Sequence, residues 1–120
     1  MSAAQHLLAR GIVASAGTAT GTLREATSVA HVVELMAEDL GETIIWTEHA
    51  SVTSIVPILP HVRGVVCQGG GVTSHIAIVA RQLGLPCLVA ADFAQDGAAL
   101  AGRRVSIEPN GMLVLAPDGS

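Results

Sequence analysis

A chain of 120 residues, half of them apolar and 13% charged, has enough apolar material for one core and too little length for several domains. Ten acidic residues oppose six basic ones, all arginine, for a net charge of −4 with no basic run, which argues against a nucleic-acid partner. The lack of lysine excludes a Walker-type phosphate loop and a Schiff-base nucleophile.

Residues 1–9 are expected to be a flexible lead-in, 10–116 one domain, and 117–120 a tail. Met1 to Arg10 lack the charged-then-apolar plan of a signal peptide, and no apolar run has bilayer length, so a cytoplasmic protein with no membrane partner is expected. Gly11 to Leu23, with glycines at 11, 17 and 21, reads as strand, tight turn, strand. Thr27 or Ser28 is placed to cap a helix over Val29 to Leu40, with Val32, Val33, Leu35, Met36 and Leu40 as its apolar stripe and Gly41 as its stop. Thr43 to Thr47 is a short β-branched and aromatic strand. Ser51 to Pro60 reads as a brief helical turn, limited by Pro57 and Pro60.

Val62 to Cys67 has the composition of a buried strand and runs into Gln68 and three glycines. Ser74 to Leu83 then places Ile76, Val79, Ala80 and Leu83 at helical spacing, Gly84 ends the helix, and Pro86 opens a strand over Cys87 to Ala90. A strand, helix, strand unit of this kind implies a right-handed parallel crossover. Arg104 to Glu108 and Met112 to Ala116 are two further strands, joined through Asn110-Gly111, a strong hairpin signal. Cys67 and Cys87 lie inside apolar runs without CxxC spacing and read as reduced, buried thiols.

The chemistry concentrates in Gly69-Gly70-Gly71-Val72-Thr73-Ser74-His75. Glycines before a helix let the backbone approach a ligand, and the first helical N–H groups have no internal partner, so the segment is suited to an anion. Gly70 and Gly71 would supply backbone donors, with Thr73 and Ser74 adding hydroxyls or capping the helix. His75 stands in the first turn, and a neutral imidazole is a phosphoryl acceptor because one ring nitrogen keeps its lone pair. Arg81 lies six residues on, about 120° around the helix, and is expected to anchor it or meet a partner rather than touch a phosphate. On these residues alone, an ordinary capped helix with His75 as a plain first-turn residue is an equal reading.

The longer run GGGVTSHIAIVARQLGLPCLV resembles the signature of the mobile, swivelling phosphohistidine domain of phosphoenolpyruvate-utilising enzymes: phosphoenolpyruvate synthase, pyruvate phosphate dikinase, the phosphotransferase-system first enzyme and rifampicin phosphotransferase. Residues 11–21, with Ser15, Gly17 and Gly21, resemble that family's opening strands, and Leu100 to Gly111 its closing segment. The resemblance implies an α/β fold, a swivelling β/β/α domain built as a layered sandwich with a parallel strand-helix-strand unit carrying the histidine. It implies that His75 is the phosphorylated residue and that Thr73 occupies a position that is regulated in some dikinases. This sequence departs from the family at Cys67-Gln68, where an acidic or threonine-like residue is usual, at Ala90, where glycine is common, and at Glu108, where aspartate is usual.

The resemblance also implies a relay rather than a complete enzyme. The group would come from ATP or phosphoenolpyruvate and pass to an acceptor, through an ATP-grasp-like partner and a phosphoenolpyruvate/pyruvate barrel partner that hold the nucleotide and Mg²⁺; no cofactor is expected on this chain. Two other readings are a swivel-fold module that binds an anion or partner without being phosphorylated, and a metal site of Cys67, His75 and Cys87, whose spacing matches no zinc pattern. His6, His31, His49 and His61 are read as solvated or capping residues, and Glu34, Glu38, Asp39 and Glu42 as a solvated acidic helix face.

Overall fold

A sheet buries its two faces only if each is covered, and three short helical elements can cover part of one of them. This chain solves the other by closing the sheet on itself. The computed structural model describes residues 7–48, 53–94 and 100–116. In chain order the elements are β1 (Leu7–Ser15), β2 (Ala19–Glu25), α1 (Val29–Met36), β3 (Thr43–Thr47), a 3₁₀ helix (Thr53–His61), β4 (Gly64–Cys67), α2 (His75–Leu83), β5 (Cys87–Phe93), β6 (Arg104–Ile107) and β7 (Met112–Leu115). The strands form a closed barrel in the order β1-β5-β4-β3-β2-β6-β7, with β7 returning to β1.

The expected layered α/β sandwich does not form. The pairings β2 with β3, β3 with β4 and β4 with β5 are parallel, and each is linked by a helical crossover through α1, the 3₁₀ helix or α2. What overturns the sandwich is the remainder of the sheet: β1 pairs antiparallel with β5 and β7, and β6 pairs antiparallel with β2 and β7. These bonds join the two ends of the chain and leave no open edge. The opening segment does contain two strands, yet they are not partners: β1 lies between β5 and β7, and β2 between β3 and β6. The first strand starts at Leu7 because Leu8 and Ala9 enter the core. The Asn110-Gly111 turn joins the antiparallel pair β6–β7.

Side chains alternate between two apolar clusters along the parallel strands. Leu23, Ile44, Trp46, Val66, Leu88, Val105, Ile107 and Leu113 fill the barrel. Ile45, Val65, Cys67, Cys87 and Val89 face outward, where Val32 and Leu35 of α1, Ile55, Ile58 and Leu59 of the 3₁₀ helix, and Ile76, Ala77 and Ala80 of α2 cover them. Burial on both faces is why β3 and β4 are buried at every residue.

Helix α1 is shorter than the sequence suggests. Ser28 caps it by accepting from the His31 N–H at 3.2 Å, but the helix stops at Met36. Leu40 reaches the core from the following turn, while Val33 and Met36, assigned to the stripe, are exposed. Its acidic face is partly paired: Glu38 takes a two-pronged bond from Arg24 at 2.6 and 3.0 Å, and Glu42 meets Arg104 at 3.1 Å. The Arg24 hydrogen bond holds the Glu38 carboxyl below its ordinary range. No helix of the described residues is long and apolar enough to cross a membrane.

Candidate functional site

The carboxyl ends of the parallel strands are where a βαβ arrangement leaves backbone donors and loops free for chemistry, and the glycine turn lies there, directly after β4. Beyond Cys67 the chain keeps the parallel ladder for two residues: Gln68 N donates to Thr47 O at 3.0 Å and Gly69 N to Glu48 O at 2.9 Å. Gly70, at φ 84°, then reverses the backbone into the left-handed region that a side chain disfavours. Gly71 has no such dihedral, and a β-carbon there would meet nothing within 4 Å. Ser74 N donates to Gly71 O at 3.0 Å, which closes the turn and starts α2.

Helix α2 begins at His75 with no side chain capping its amides. Ser74 occupies the cap position in an extended conformation, φ −66° and ψ 160°, yet its hydroxyl is buried and has no hydrogen-bond partner. Thr73 and His75 are both exposed. The contiguous residues Gly70, Gly71, Thr73, Ser74 and His75 thus form one turn, with the imidazole accessible and the first helical N–H groups free of a side-chain acceptor. The Ser74 hydroxyl is the one polar side-chain atom of this turn that is buried without a partner among the described residues.

Arg81 is not part of this cluster. Its Nη1 donates to Ala14 O at 2.9 Å, tying the last turn of α2 to β1. Gly84, left-handed at φ 69°, ends the helix as the sequence suggests. From Gly64 to Ala80 there is no charged residue, so the neighbourhood of His75 in sequence is neutral, with Val72 and Ile78 exposed beside it. A groove of about 440 Å³, lined by Met36, Glu38, Asp39, Leu40, Gly41, Pro57, Ile58 and His61, lies at the opposite, amino end of β3 and β4 and includes none of the site residues.

Cys67 and Cys87 are both fully buried beneath α2. A thiol hydrogen bond between them, and then burial, push the Cys67 thiol well above its usual range. His75 is exposed, and among the described residues no three His, Cys, Asp or Glu side chains converge as a metal site would require. The Cys67, His75, Cys87 site therefore does not assemble. His31 makes a local contact, its Nδ1 accepting from the Thr27 N–H at 3.3 Å; His61 ends the 3₁₀ helix and is exposed; His6 and His49 lie outside the described residues.

Two features of the site carry no local sequence signal. Trp46, inside the barrel, donates its indole N–H to Gln68 Oε1 at 3.0 Å, linking the core to the first residue of the turn across 22 positions. Ala90 takes a left-handed conformation, φ 51°, at a bulge where Ile12 pairs with Val89 but Arg10 pairs with Asp92, and its N–H donates to Gly69 O at 3.3 Å. It is the position where glycine is common in the family resembled, and the backbone explains why.

Comparison with known proteins gives concordant matches. The family model described as PEP-utilising enzyme, mobile domain, matches residues 40–111. A "Probable phosphoenolpyruvate synthase" of Methanothermobacter thermautotrophicus is 32% identical over 85 residues, covering 71% of this chain and 12% of that protein. The phosphoenolpyruvate synthase of Aeropyrum pernix is 34% identical over 84 residues, 70% of this chain and 10% of its own length. The chain therefore spans about a tenth of these relatives. Among solved structures, the N-terminal domain of Enzyme 1, Nitrogen, has a TM-score of 0.56 at 26% identity, covering 73% of this chain and 37% of that one. Holo aconitase X of Thermococcus kodakaraensis shares the fold alone, with a TM-score of 0.62 at 10% identity over 91% of this chain and 98% of that one.

Proposed function

The chain belongs to the PEP-utilising enzyme mobile-domain family, and on that premise we propose that it is a phosphoryl carrier in which His75 is phosphorylated and passes the group on. The observation that carries this reading is an exposed imidazole on the first residue of a helix that no side chain caps, directly after the Gly70 turn. An unprotonated ring nitrogen attacks the transferring phosphorus in line. An N–P bond forms as the P–O bond to the donor breaks, and that electron pair leaves on the donor oxygen, of ADP if the donor is ATP or of enolpyruvate if it is phosphoenolpyruvate. The turn amides at Gly70 and Gly71, the Thr73 hydroxyl and the Ser74 hydroxyl donate to the phosphoryl oxygens. The second transfer reverses the geometry toward an acceptor. Thr73, exposed two residues before His75, is placed for a regulatory phosphorylation that would oppose loading by like charge.

Donor and acceptor are held elsewhere in this reading: an ATP-grasp-like domain or subunit and a phosphoenolpyruvate/pyruvate barrel, each with Mg²⁺, supply the cations that the stretch around His75 lacks. On this reading the carrier works in the cytoplasm, where either donor would be available. Arg81 supports the site by fixing α2 against β1. A second reading, an anion- or partner-binding module that is never phosphorylated, is favoured by the recurrence of the same fold in aconitase X at 10% identity.

The test incubates the chain with candidate partner domains and labelled ATP or phosphoenolpyruvate. A carrier acquires acid-labile, base-stable label that disappears in His75→Ala. A label that persists in that variant, or wild-type protein that stays unlabelled with every donor and partner pair while binding them, overturns the carrier reading in favour of the module.

A further inference from the structure

We propose that Gln68 is a positioning residue, which fixes the glycine turn for His75 through its bond to Trp46; the inference rests on the carrier reading above. Trp46 is 98% buried in the barrel, by its residual exposure of 2%, and an indole N–H is a donor only. Its partner must therefore be the oxygen of the Gln68 amide, found at 3.0 Å. Without that oxygen the N–H would be buried and unsatisfied, so the bond is held firmly. The Gln68 backbone is pinned as well, by its N–H to Thr47 O at 3.0 Å. Gln68 is thus anchored through both side chain and main chain, and two residues later Gly70 turns.

The glycines themselves cannot hold this geometry. Three in succession have the largest conformational freedom of any tripeptide, and no charged group lies between Gly64 and Ala80 to lock them. The fixing must come from the ends of the turn. On the far side this is the Ser74 N to Gly71 O bond, on the floor it is Ala90 N to Gly69 O, and on the near side it is the Gly69 N to Glu48 O bond together with the Gln68–Trp46 link. Oriented amides stabilise a developing charge only if they need not reorganise, so loosening the near end slows loading of His75 even where the imidazole is intact.

The experiment uses the 120-residue chain with phosphoramidate as the donor, whose N–P bond breaks as the His75 N–P bond forms and ammonia leaves. Three readouts are taken on wild type, Gln68→Met, Gln68→Glu, Trp46→Phe and the double variant Trp46→Phe/Gln68→Met: the loading rate of His75, the amide NMR shifts of Gly69, Gly70 and Gly71, and, where Trp46 is kept, its emission as the chain's sole tryptophan. Gln68→Met and Trp46→Phe are each expected to slow loading by about ten- to a hundred-fold and to shift the same glycine amides. The double variant is expected to be no slower than the worse single one, as for two halves of one contact. Gln68→Glu, which keeps an oxygen acceptor, should restore the glycine shifts and the Trp46 emission that Gln68→Met loses. Wild-type rate and wild-type glycine shifts in Gln68→Met, or strictly additive losses in the double variant, would overturn the inference. If phosphoramidate does not label wild type, loading is read with the donor and partner pairs of the carrier test above, whose failure would sink that reading separately, and the glycine shifts still decide whether Gln68 orders the turn.

Discussion

Neighbouring glycines in the turn make opposite demands, and substituting each by alanine separates architecture from chemistry. Gly70 sits at φ 84°, where a β-carbon costs about 1–2 kcal/mol; the loss of unfolded-state freedom on replacing glycine returns about 0.4–1 kcal/mol. Gly70→Ala should therefore destabilise by about 1 kcal/mol, a fall in Tm of about 4 °C for a domain of this size. Gly71 has no positive φ and open space around a β-carbon, so Gly71→Ala keeps only the unfolded-state term and should stabilise by about 0.4–1 kcal/mol. Its methyl nevertheless stands in open space, where the carrier reading requires phosphoryl oxygens to come close to the backbone. Thermal melts and His75 labelling on both variants give the check: Gly71→Ala should be at least as stable as wild type yet load His75 about ten-fold or more slowly. Loading of Gly71→Ala at the wild-type rate would refute close approach at this residue, and a Gly70→Ala melt equal to wild type would refute the strain argument.

The other expectations are compact. Ala90 occupies left-handed space and is exposed, so Ala90→Gly removes strain without opening a cavity and should raise stability by about 1 kcal/mol in urea titration; a lower midpoint would contradict it. Arg81→Ala loses the bond to Ala14 O and should cost about 1–2 kcal/mol, with faster hydrogen exchange at the end of α2 than at its start. Cys67 and Cys87 should stay unreactive toward a thiol reagent at pH 8 in the folded protein and both react in denaturant, since both are fully buried beneath α2 and the reagent cannot reach them; rapid native labelling would show that the helix layer opens. Glu38 is held below its ordinary range of about 4.5 by Arg24, so that its stabilising effect is present above the unfolded value and is lost as pH falls through the lower folded one. Stability of Glu38→Gln, followed by melts from pH 6 to 3, should accordingly fall less steeply than that of wild type, and an identical slope would show the pair to be inert.

Local features were legible and closure was not. Periodicity and turn residues place β3, α2 and the β6–β7 hairpin because each is specified by residues within one short stretch: Thr43–Thr47 by β-branching, α2 by Ile76, Ala80 and Gly84, the hairpin by Asn110-Gly111. Barrel closure rests on Leu7 meeting Val114 and Ala19 meeting Ile107, contacts between chain ends that no local pattern encodes, and a sandwich satisfies the same alternation equally well. The α1 stripe was overextended for a related reason: Val33 and Met36 have helical spacing, but only Val32, Leu35 and Leu40 face the layer below. The glycines, Thr73, Ser74 and His75 fall in one turn because they are contiguous, so their proximity needs no knowledge of the fold. The Trp46–Gln68 bond and the strained Ala90 could not be read off, since each depends on which strand lies beside which; the departures from the family at Gln68 and Ala90 were the only trace of them.

In the carrier reading, the charge distribution around His75 bears on how the domain is built. A phosphoryl group at neutral pH carries close to two negative charges, and the stretch from Gly64 to Ala80 offers it no charged side chain. Arg81, six residues on, is committed to Ala14 O. An arginine fixed beside His75 would strengthen binding of the phosphorylated state wherever the domain stood, and uniform stabilisation of an intermediate deepens a well without lowering the barriers on either side of it. In that reading the dipolar amides at the start of α2 orient the group at smaller gain and leave the larger electrostatic term to whichever partner site is engaged. In the carrier reading, loading and delivery then become favourable in turn as the cations of donor and acceptor sites replace one another. An engineered Val72→Arg variant tests this division of labour: it should lengthen the lifetime of phosphorylated His75 and slow delivery to the acceptor, whereas faster delivery would show that the carrier, not its partners, was short of positive charge.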